Sequence, residues 1–448
     1  MPVALDQLIA EYRDQNAASQ KLFKRSQGVL PGGNTRTGVH VDPFPIYAAS
    51  GAGVTVTDAD GNRRLDFVNN ATALILGHAH SEVTRALTDR VAQGTAFFGP
   101  TELEVTWAEL LRERMPSLAR VRFCSSGTEA VMNGLRVARG FTGRSKIAKF
   151  EGAYHGIDDA ALISYVPPVT DALGREEAPN PVISSAGLPA HTADGVIVLP
   201  FNHTEACERA ILQHKDELAA VIIDPLSTAA GLALPDPDFL NSLRAVTAQH
   251  GILLIFDEIV SFRMSSGGAQ KIYGITPDLT CLAKVIAGGT PGGAFGGRPE
   301  IMALFDPSTG PAAIPQSGTY NANPLVAVAG LATLRTMTQP AYAHIDALAR
   351  HIGEGLRQAF REANTVFSVV VAGSLFRIYF LETPPRNYRE AARDSKEKHR
   401  WLYFYLLNRG FATRQGGCTS LPMTLEHANA LLQTVREGLK VWPYASES

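Results

Sequence analysis

From about residue 75 to residue 330 the chain alternates helix-like segments with short strands that are apolar on successive residues. Examples are Val121-Arg-Phe-Cys124, Lys146-Ile-Ala-Lys-Phe150, Leu218-Ala-Ala-Val-Ile-Ile-Asp224 and Gly251-Ile-Leu-Leu-Ile-Phe-Asp257. A strand with one wet face alternates apolar and polar residues, whereas a run apolar throughout is covered on both faces. That pattern belongs to a mostly parallel sheet flanked by helices, so the expected fold class is α/β. Before this region, residues 5–29 read as one polar helix, followed by a Pro-Gly-Gly turn at Pro31 and short strands near 46–49 and 53–58. Asp58-Ala-Asp-Gly61 reads as a hairpin-like reversal. After it come a helix, a strand pair and a helix, with residues 424–441 as the final amphipathic helix. The expected division is 1–74, 75–330 and 331–448. Residues 166–195, rich in Pro, Ser and Ala, read as a long loop over an active-site mouth.

Composition narrows the function classes. With 448 residues, a net charge of -2, 19% charged and 45% hydrophobic residues, the chain reads as a globular protein with neither a nucleic-acid-binding surface nor a disordered character. Cys124, Cys207, Cys281 and Cys418 are scattered without paired spacing, which argues against a zinc site or a disulfide framework and fits a reducing cytoplasm. No export segment and no membrane span are expected.

Three elements carry chemistry. Lys284, in Leu279-Thr-Cys-Leu-Ala-Lys-Val-Ile-Ala-Gly-Gly289, has small and apolar neighbours. Desolvation there lowers the lysine pKa and frees a nucleophilic amine suited to a Schiff base; the plainer reading is a lysine whose stem lies along the surface. Cys124-Ser-Ser-Gly-Thr-Glu-Ala130 follows a strand and opens a helix over 130–140. Glycine, two hydroxyls and helix-start amides make a phosphate cradle, although Ser126 or Thr128 could simply cap the helix. Asp257 ends the most apolar strand, at the sheet edge where ligands bind in open α/β folds. Strand alternation puts Asp257 and Ile259 on one face, roughly 6 to 7 Å apart, and Glu258 on the other. That span suits an aromatic heterocycle; the alternative is an aspartate that caps the next turn. Taken together, a phosphate cup, a carboxylate for a ring nitrogen and an amine for an aldehyde match pyridoxal 5'-phosphate.

Beyond these elements, the chain resembles the fold-type I, class III pyridoxal-phosphate aminotransferases, a family that also includes glutamate-1-semialdehyde aminomutase. The resemblance rests on Pro31-Gly-Gly-Asn-Thr-Arg36, Leu76-Gly-His-Ala-His80, Ser126-Gly-Thr-Glu129, Tyr154-His-Gly156, Phe256-Asp-Glu-Ile259, Leu282-Ala-Lys284 and Gln316-Ser-Gly-Thr319. It implies a large cofactor-binding domain and a smaller α+β domain made from both termini. It also implies that Lys284 links to the cofactor and Asp257 holds the ring nitrogen protonated. Ser126, Gly127 and Thr128 would hold the phosphate, Tyr154 and His155 would contact the cofactor, and Ile259 would pack on the ring face opposite Tyr154. Thr319 would reach the phosphate of a neighbouring subunit, making the active unit a homodimer. No metal is implied, because His78 and His80 lack further ligands.

For substrate, the resemblance implies carboxylate recognition by Arg36 and by Arg414. The latter looks like the mobile C-terminal arginine of the β-amino-acid aminotransferases. The segment Asp257-Glu-Ile-Val-Ser-Phe-Arg263 is one residue shorter than its counterpart in the aminomutases, again nearer the β-amino-acid enzymes. Asp224 stands where the family usually has glutamate near the cofactor's ring hydroxyl and the substrate, and is shorter by a methylene. The implied activity is amino transfer from a β-amino acid, another amino acid or an amine to a keto acid such as 2-oxoglutarate or pyruvate. An intramolecular 2,1-aminomutase is the alternative. Small-molecule substrates are the implied partners, with no nucleic acid and no membrane.

Overall fold

A computed structural model describes residues 2–308 and 310–444. The chain divides into two compact units, a central one of residues 81–342 with 385–393, and a terminal one of residues 1–80, 343–384 and 394–448. The terminal unit is thus assembled from both ends of the chain, and residues 331–342 and 385–393 belong with the centre.

The central unit is built on seven strands: β1 (Arg120–Cys124), β2 (Lys146–Phe150), β3 (Val196–Leu199), β4 (Leu218–Ile223), β5 (Leu253–Asp257), β6 (Leu279–Ala283) and β7 (Gly293–Gly297). Their order across the sheet is β1-β7-β6-β5-β4-β2-β3. The pairs β2 with β3, β2 with β4, β4 with β5 and β5 with β6 are parallel; β7 runs antiparallel to both its neighbours. Every residue of β4, β5, β6 and β7 is buried, which is why the β4 and β5 segments read as apolar on successive residues. Ile222, Leu253 and Ile255 pack with Val131 and Leu135 of the helix Gly127–Thr142, while Val221, Ile223, Leu254 and Phe256 enter a second cluster with Phe239 and Leu243 of the helix Phe239–Gln249. Successive side chains therefore serve two helical layers, each fully buried one contributing about 1.5–3 kcal/mol. In β7, a Cβ on Gly296 would lie 2.4 Å from the Arg120 carbonyl oxygen, so glycine lets the edge pair close.

Several expected boundaries move. The helix over 5–29 is two helices, Leu5–Gln15 and Ala17–Ser26, broken at Asn16. The buried Asn16 amide donates to Tyr12 O at 2.7 Å and its oxygen accepts from Arg64 Nη2 at 2.9 Å, so a network inside the terminal unit takes precedence over helix continuity. The early strands lie at Ala48–Ala52 and Thr55–Asp58, and the reversal at Asp58 leads into Arg63–Asp66. The helix expected to start at residue 130 starts at Gly127. Residues 166–195 have structure of their own: a two-strand hairpin, Gly174–Arg175 with Ala178–Pro179, and short 3-10 turns on either side. This segment is held by the returning stretch 385–393. Arg389 donates to Gly174 O at 2.8 Å and Leu173 O at 3.0 Å, and forks onto the Glu151 carboxylate at 2.8 and 2.9 Å; Tyr388 Oη donates to Pro167 O.

In the terminal unit, Ala48–Ala52, Thr55–Asp58 and Arg63–Asp66 form an antiparallel sheet extended in parallel by Phe411–Ala412, while Ser368–Ala372, Leu375–Tyr379 and Gly416–Cys418 form a second antiparallel sheet. Its core joins Tyr12, Phe44, Phe360, Trp401, Phe404 and Leu431. Among the described residues no helix is long and apolar enough to cross a membrane.

Candidate active site

The carboxyl ends of β4, β5 and β6 bring three polar residues together. Asp224 follows β4, Asp257 ends β5 and Lys284 follows β6. Register holds them level: Phe256 pairs with Ile223, and Asp257 with Cys281, three residues before the lysine. Lys284 has φ of +54°, a left-handed backbone uncommon outside glycine and asparagine, at the point where the strand breaks into a 3-10 turn. Burial pulls its ammonium pKa down; Asp257 and Asp224 oppose that shift, and Arg263 adds to it. The amine therefore gives up its proton more readily than a surface lysine.

Asp257 is buried and bonded on both oxygens. Oδ2 lies 2.8 Å from His155 Nδ1, and Oδ1 accepts the backbone N–H of Ile259 at 3.1 Å. The second bond is the local turn cap open to any strand-ending aspartate, and it coexists with the link to His155. His155 reaches Asp257 from the loop after β2 and is itself buried. Its Nε2 has no hydrogen-bond partner among the described residues.

Glu258 points the other way, as strand alternation requires. Its buried carboxylate accepts from Ala269 N at 2.6 Å, Gln270 N at 2.9 Å, Gln270 Nε2 at 3.1 Å and Ser261 Oγ at 3.1 Å. Burial pushes its pKa up to about 7 against these donors. It anchors the segment beyond β5 and stands apart from the Asp257 face.

Ser126 caps the helix Gly127–Thr142, its Oγ accepting the Glu129 N–H at 3.2 Å, while Glu129 Oε2 accepts from Ser125 N at 2.7 Å. The capping reading and the cradle reading are compatible, because the amides of Gly127 and Thr128 lie in the first turn, where N–H groups lack intrahelical acceptors. A Cβ on Gly127 would come within 2.6 Å of Ile259 Cδ1, and one on Gly156, at φ +90°, within 2.7 Å of Thr128 Oγ1. The helix start, the turn after β5 and the Tyr154-His-Gly156 loop therefore meet at contact distance, with no room for a side chain at either glycine. Tyr154 is partly exposed, its ring centroid 4.9 Å from that of Tyr165. Burial, then the neighbouring Tyr165 and Asp257, push its hydroxyl pKa up.

Asp224 spends its carboxylate locally. Oδ1 accepts Leu226 N at 3.0 Å, and Oδ2 accepts both Thr228 N at 2.8 Å and Thr228 Oγ1. Burial, then the charge of Asp257, raise its pKa. Thr319 is exposed, on a loop anchored where Gln316 Nε2 donates to Phe123 O at 3.0 Å. Arg36 and Arg414 belong to the terminal unit, both exposed. Arg36 Nη1 donates to Asn70 Oδ1 at 2.8 Å, and Arg414 Nη2 donates to Gly38 O at 2.7 Å, two residues beyond Arg36. Arg414 lines a cavity of about 400 Å³ with His40, Arg400, Tyr403 and Gln415. His78 Nε2 bonds Asp66 Oδ2 at 2.7 Å, and among the described residues no cluster of three or more His, Cys, Asp or Glu is placed to hold a metal ion.

Two groups close to this site escaped the sequence reading. Lys149 lies within β2, next to its last residue and with no exposure, and the Glu151–Arg389 pair ties the following loop to residues 385–393. A charge inside a strand covered on both faces was the available sign for Lys149. Arg389 lies 238 positions from its carboxylate, a separation no local pattern spans.

The Aminotransferase class-III family model matches residues 37–406. A curated relative, glutamate-1-semialdehyde 2,1-aminomutase 2 of Brevibacillus brevis, is 40% identical over 416 residues, 92% of this chain and 94% of that one. Among solved structures, an omega-transaminase from Sphaerobacter thermophilus is 44% identical with a TM-score of 0.92, covering 96% of this chain and 98% of that one. A β-phenylalanine aminotransferase from Variovorax paradoxus is 32% identical with a TM-score of 0.86, covering 98% of each chain.

Proposed function

The chain belongs to the class-III aminotransferases, and on that premise we propose that it moves an amino group from a β-amino acid, or from another amino acid or an amine, to a keto acid such as 2-oxoglutarate or pyruvate. Its fold is that of the fold-type I transferases and its cofactor is pyridoxal 5'-phosphate. The residues present fit that group. Asp257 is a buried carboxylate with lone-pair capacity beyond its two protein bonds, the first amides of Gly127–Thr142 suit a phosphate, and close packing at Gly127 and Gly156 admits no Cβ. Ser126, Gly127 and Thr128 are the proposed phosphate contacts, Tyr154 and Ile259 the groups on the two ring faces, and His155 the partner that fixes Asp257.

When bound, the cofactor supplies an aldehyde carbon for amino exchange and a ring that takes up electron density. The chain does the rest. Lys284 Nζ, poised by burial to lose its proton, acts as the nucleophile and then as the base that lifts a proton from the donor's amino-bearing carbon. Asp257 holds a proton on the ring nitrogen, and His155 Nδ1 keeps that carboxylate aimed. The observation that carries the reading is the grouping of a desolvated amine with a buried carboxylate and a buried imidazole at the carboxyl edge of the sheet.

Substrate choice rests on the two arginines. Arg414 bonds Gly38 O, two residues from Arg36, whose own guanidinium bonds Asn70, and planar guanidinium groups suit the carboxylates of an amino acid and a keto acid. Asp224, its oxygens committed to the 226–228 turn, acts by shaping that turn under the substrate. The exposed Thr319 supports a homodimer in which it reaches the neighbouring site. Four buried free thiols support a reducing, cytoplasmic setting. The test is a donor screen of β-amino acids, α-amino acids and amines against 2-oxoglutarate and pyruvate, with turnover of a β-amino acid expected. A second reading, intramolecular 2,1-amino transfer, is favoured by the 40% identity to an aminomutase. Turnover without any added keto acid would select it.

A further inference from the structure

Lys149 sits one residue from the carboxyl end of β2, paired in register with Val198 of β3 and wholly buried. Its Nζ donates to three backbone carbonyls, Ala153 O at 3.0 Å, Ala161 O at 2.9 Å and Ile163 O at 2.5 Å. No carboxylate lies within ion-pair distance of it among the described residues. An ammonium has three N–H donors, and here three acceptors meet them. Desolvation pulls its pKa down to about 7, while the carbonyls favour the charged form. An apolar residue of similar length would avoid the cost of burying a charge but would leave three carbonyls without donors.

The positions of those carbonyls give the lysine its meaning. Ala153 O lies just before Tyr154-His-Gly156, while Ala161 O belongs to the short helix Asp159–Leu162 and Ile163 O lies just after it. The side chain is thus a tie across the base of the loop that carries Tyr154 and His155. Gly152 N to Ser164 O at 2.9 Å closes the same neck from the backbone side. His155 leaves this tied loop to meet Asp257 at 2.8 Å, a contact that a shift of about 1 Å would break.

We propose that Lys149 is a positioning residue, whose ammonium pins both ends of the 153–163 loop and so sets the aim of His155 on Asp257 and the placement of Tyr154. This inference rests on the aminotransferase reading only for its effect on turnover.

The experiment has two arms, both on the purified full chain. In the cofactor-free protein, Lys149→Met is expected to raise amide hydrogen exchange about tenfold across residues 151–164 while the helix Gly127–Thr142 exchanges as in wild type. With pyridoxal 5'-phosphate bound, the same variant is expected to lower kcat about tenfold with little change in KM, and to displace the cofactor's visible absorption maximum. Exchange that rises evenly over the chain, or stays as in wild type, with kcat and absorption unchanged, overturns the proposal and leaves Lys149 as a filler of the core. Should Lys149→Met not fold, Lys149→Gln, with two donors and no charge, is read in the same way: a smaller but selective loosening supports the proposal and wild-type exchange overturns it. If wild type transfers no amino group, the functional reading fails on its own, and the cofactor-free arm still decides the role of Lys149.

Discussion

His155 Nδ1 lies 2.8 Å from Asp257 Oδ2, so the carboxylate at the end of β5 is held by a residue from the loop after β2. Both groups are buried, and the bond reaches across β4, the strand between them in the sheet. A hydrogen bond to a charged partner in such a place contributes about 1.5–3 kcal/mol, or roughly one to two decades in an equilibrium. His155→Phe is expected to keep cofactor binding and to lower kcat about ten- to a hundredfold. Steady-state kinetics on the cofactor-loaded variant check this, and a turnover equal to wild type would remove His155 from the site.

Lys284→Ala is expected to abolish amino transfer while the protein still takes up pyridoxal 5'-phosphate without a covalent bond. In wild type, borohydride reduction followed by peptide mapping should place the label on Lys284. A label on Lys149, a buried lysine whose pKa burial also lowers, would reassign the nucleophile.

Glu258 makes stability depend on pH in a defined direction. Its carboxyl pKa is raised from 4.5 to about 7 by burial, so the folded protein holds this proton more tightly than the unfolded chain. The group's contribution is fully present below pH 4.5 and is lost as pH rises through about 7, with a slope of at most about 1.4 kcal/mol per unit between them. Glu258→Gln should flatten that slope in denaturant titrations run across the window. It should also cost about 1–3 kcal/mol, because the new amide faces backbone N–H groups. An unchanged slope would show that another group titrates.

Arg414→Ala is expected to raise KM for a dicarboxylate acceptor much more than KM for a monoamine donor, which carries no carboxylate to bind. Initial-rate measurements over both substrates decide it. Equal effects would assign the guanidinium a structural part, through its bond to Gly38 O.

Much of this architecture could be read from the chain, for identifiable reasons. Apolar runs such as Leu253-Leu-Ile-Phe-Asp257 have a single physical explanation, burial on both faces, and strand alternation sends Asp257 towards His155 and Glu258 towards Ala269 and Gln270. Ser126-Gly-Thr-Glu129 announces a helix start because hydroxyl, glycine and carboxylate each have a local task there. What stayed hidden depends on partners without a side-chain signature or far away in sequence. The acceptors of Lys149 are carbonyls, identical on every residue. Asn16 looks like one more polar helix position until Arg64, 48 residues on, draws it into a buried network. The place of residues 385–393 was obscured for the same reason, since they join the central unit through partners far away in sequence, such as Glu151 for Arg389 and Pro167 for Tyr388.

That last pair bears on how the protein is made. By the time β7 has left the ribosome, every strand of the seven-stranded sheet exists, yet the guanidinium that grips Glu151 has still to be synthesised. Until then the Gly174–Pro179 hairpin lacks its fastening to Arg389 and Glu151 lacks its counter-charge. The nascent sheet must wait for a short piece of chain born among residues of the other unit before its last clasp can shut.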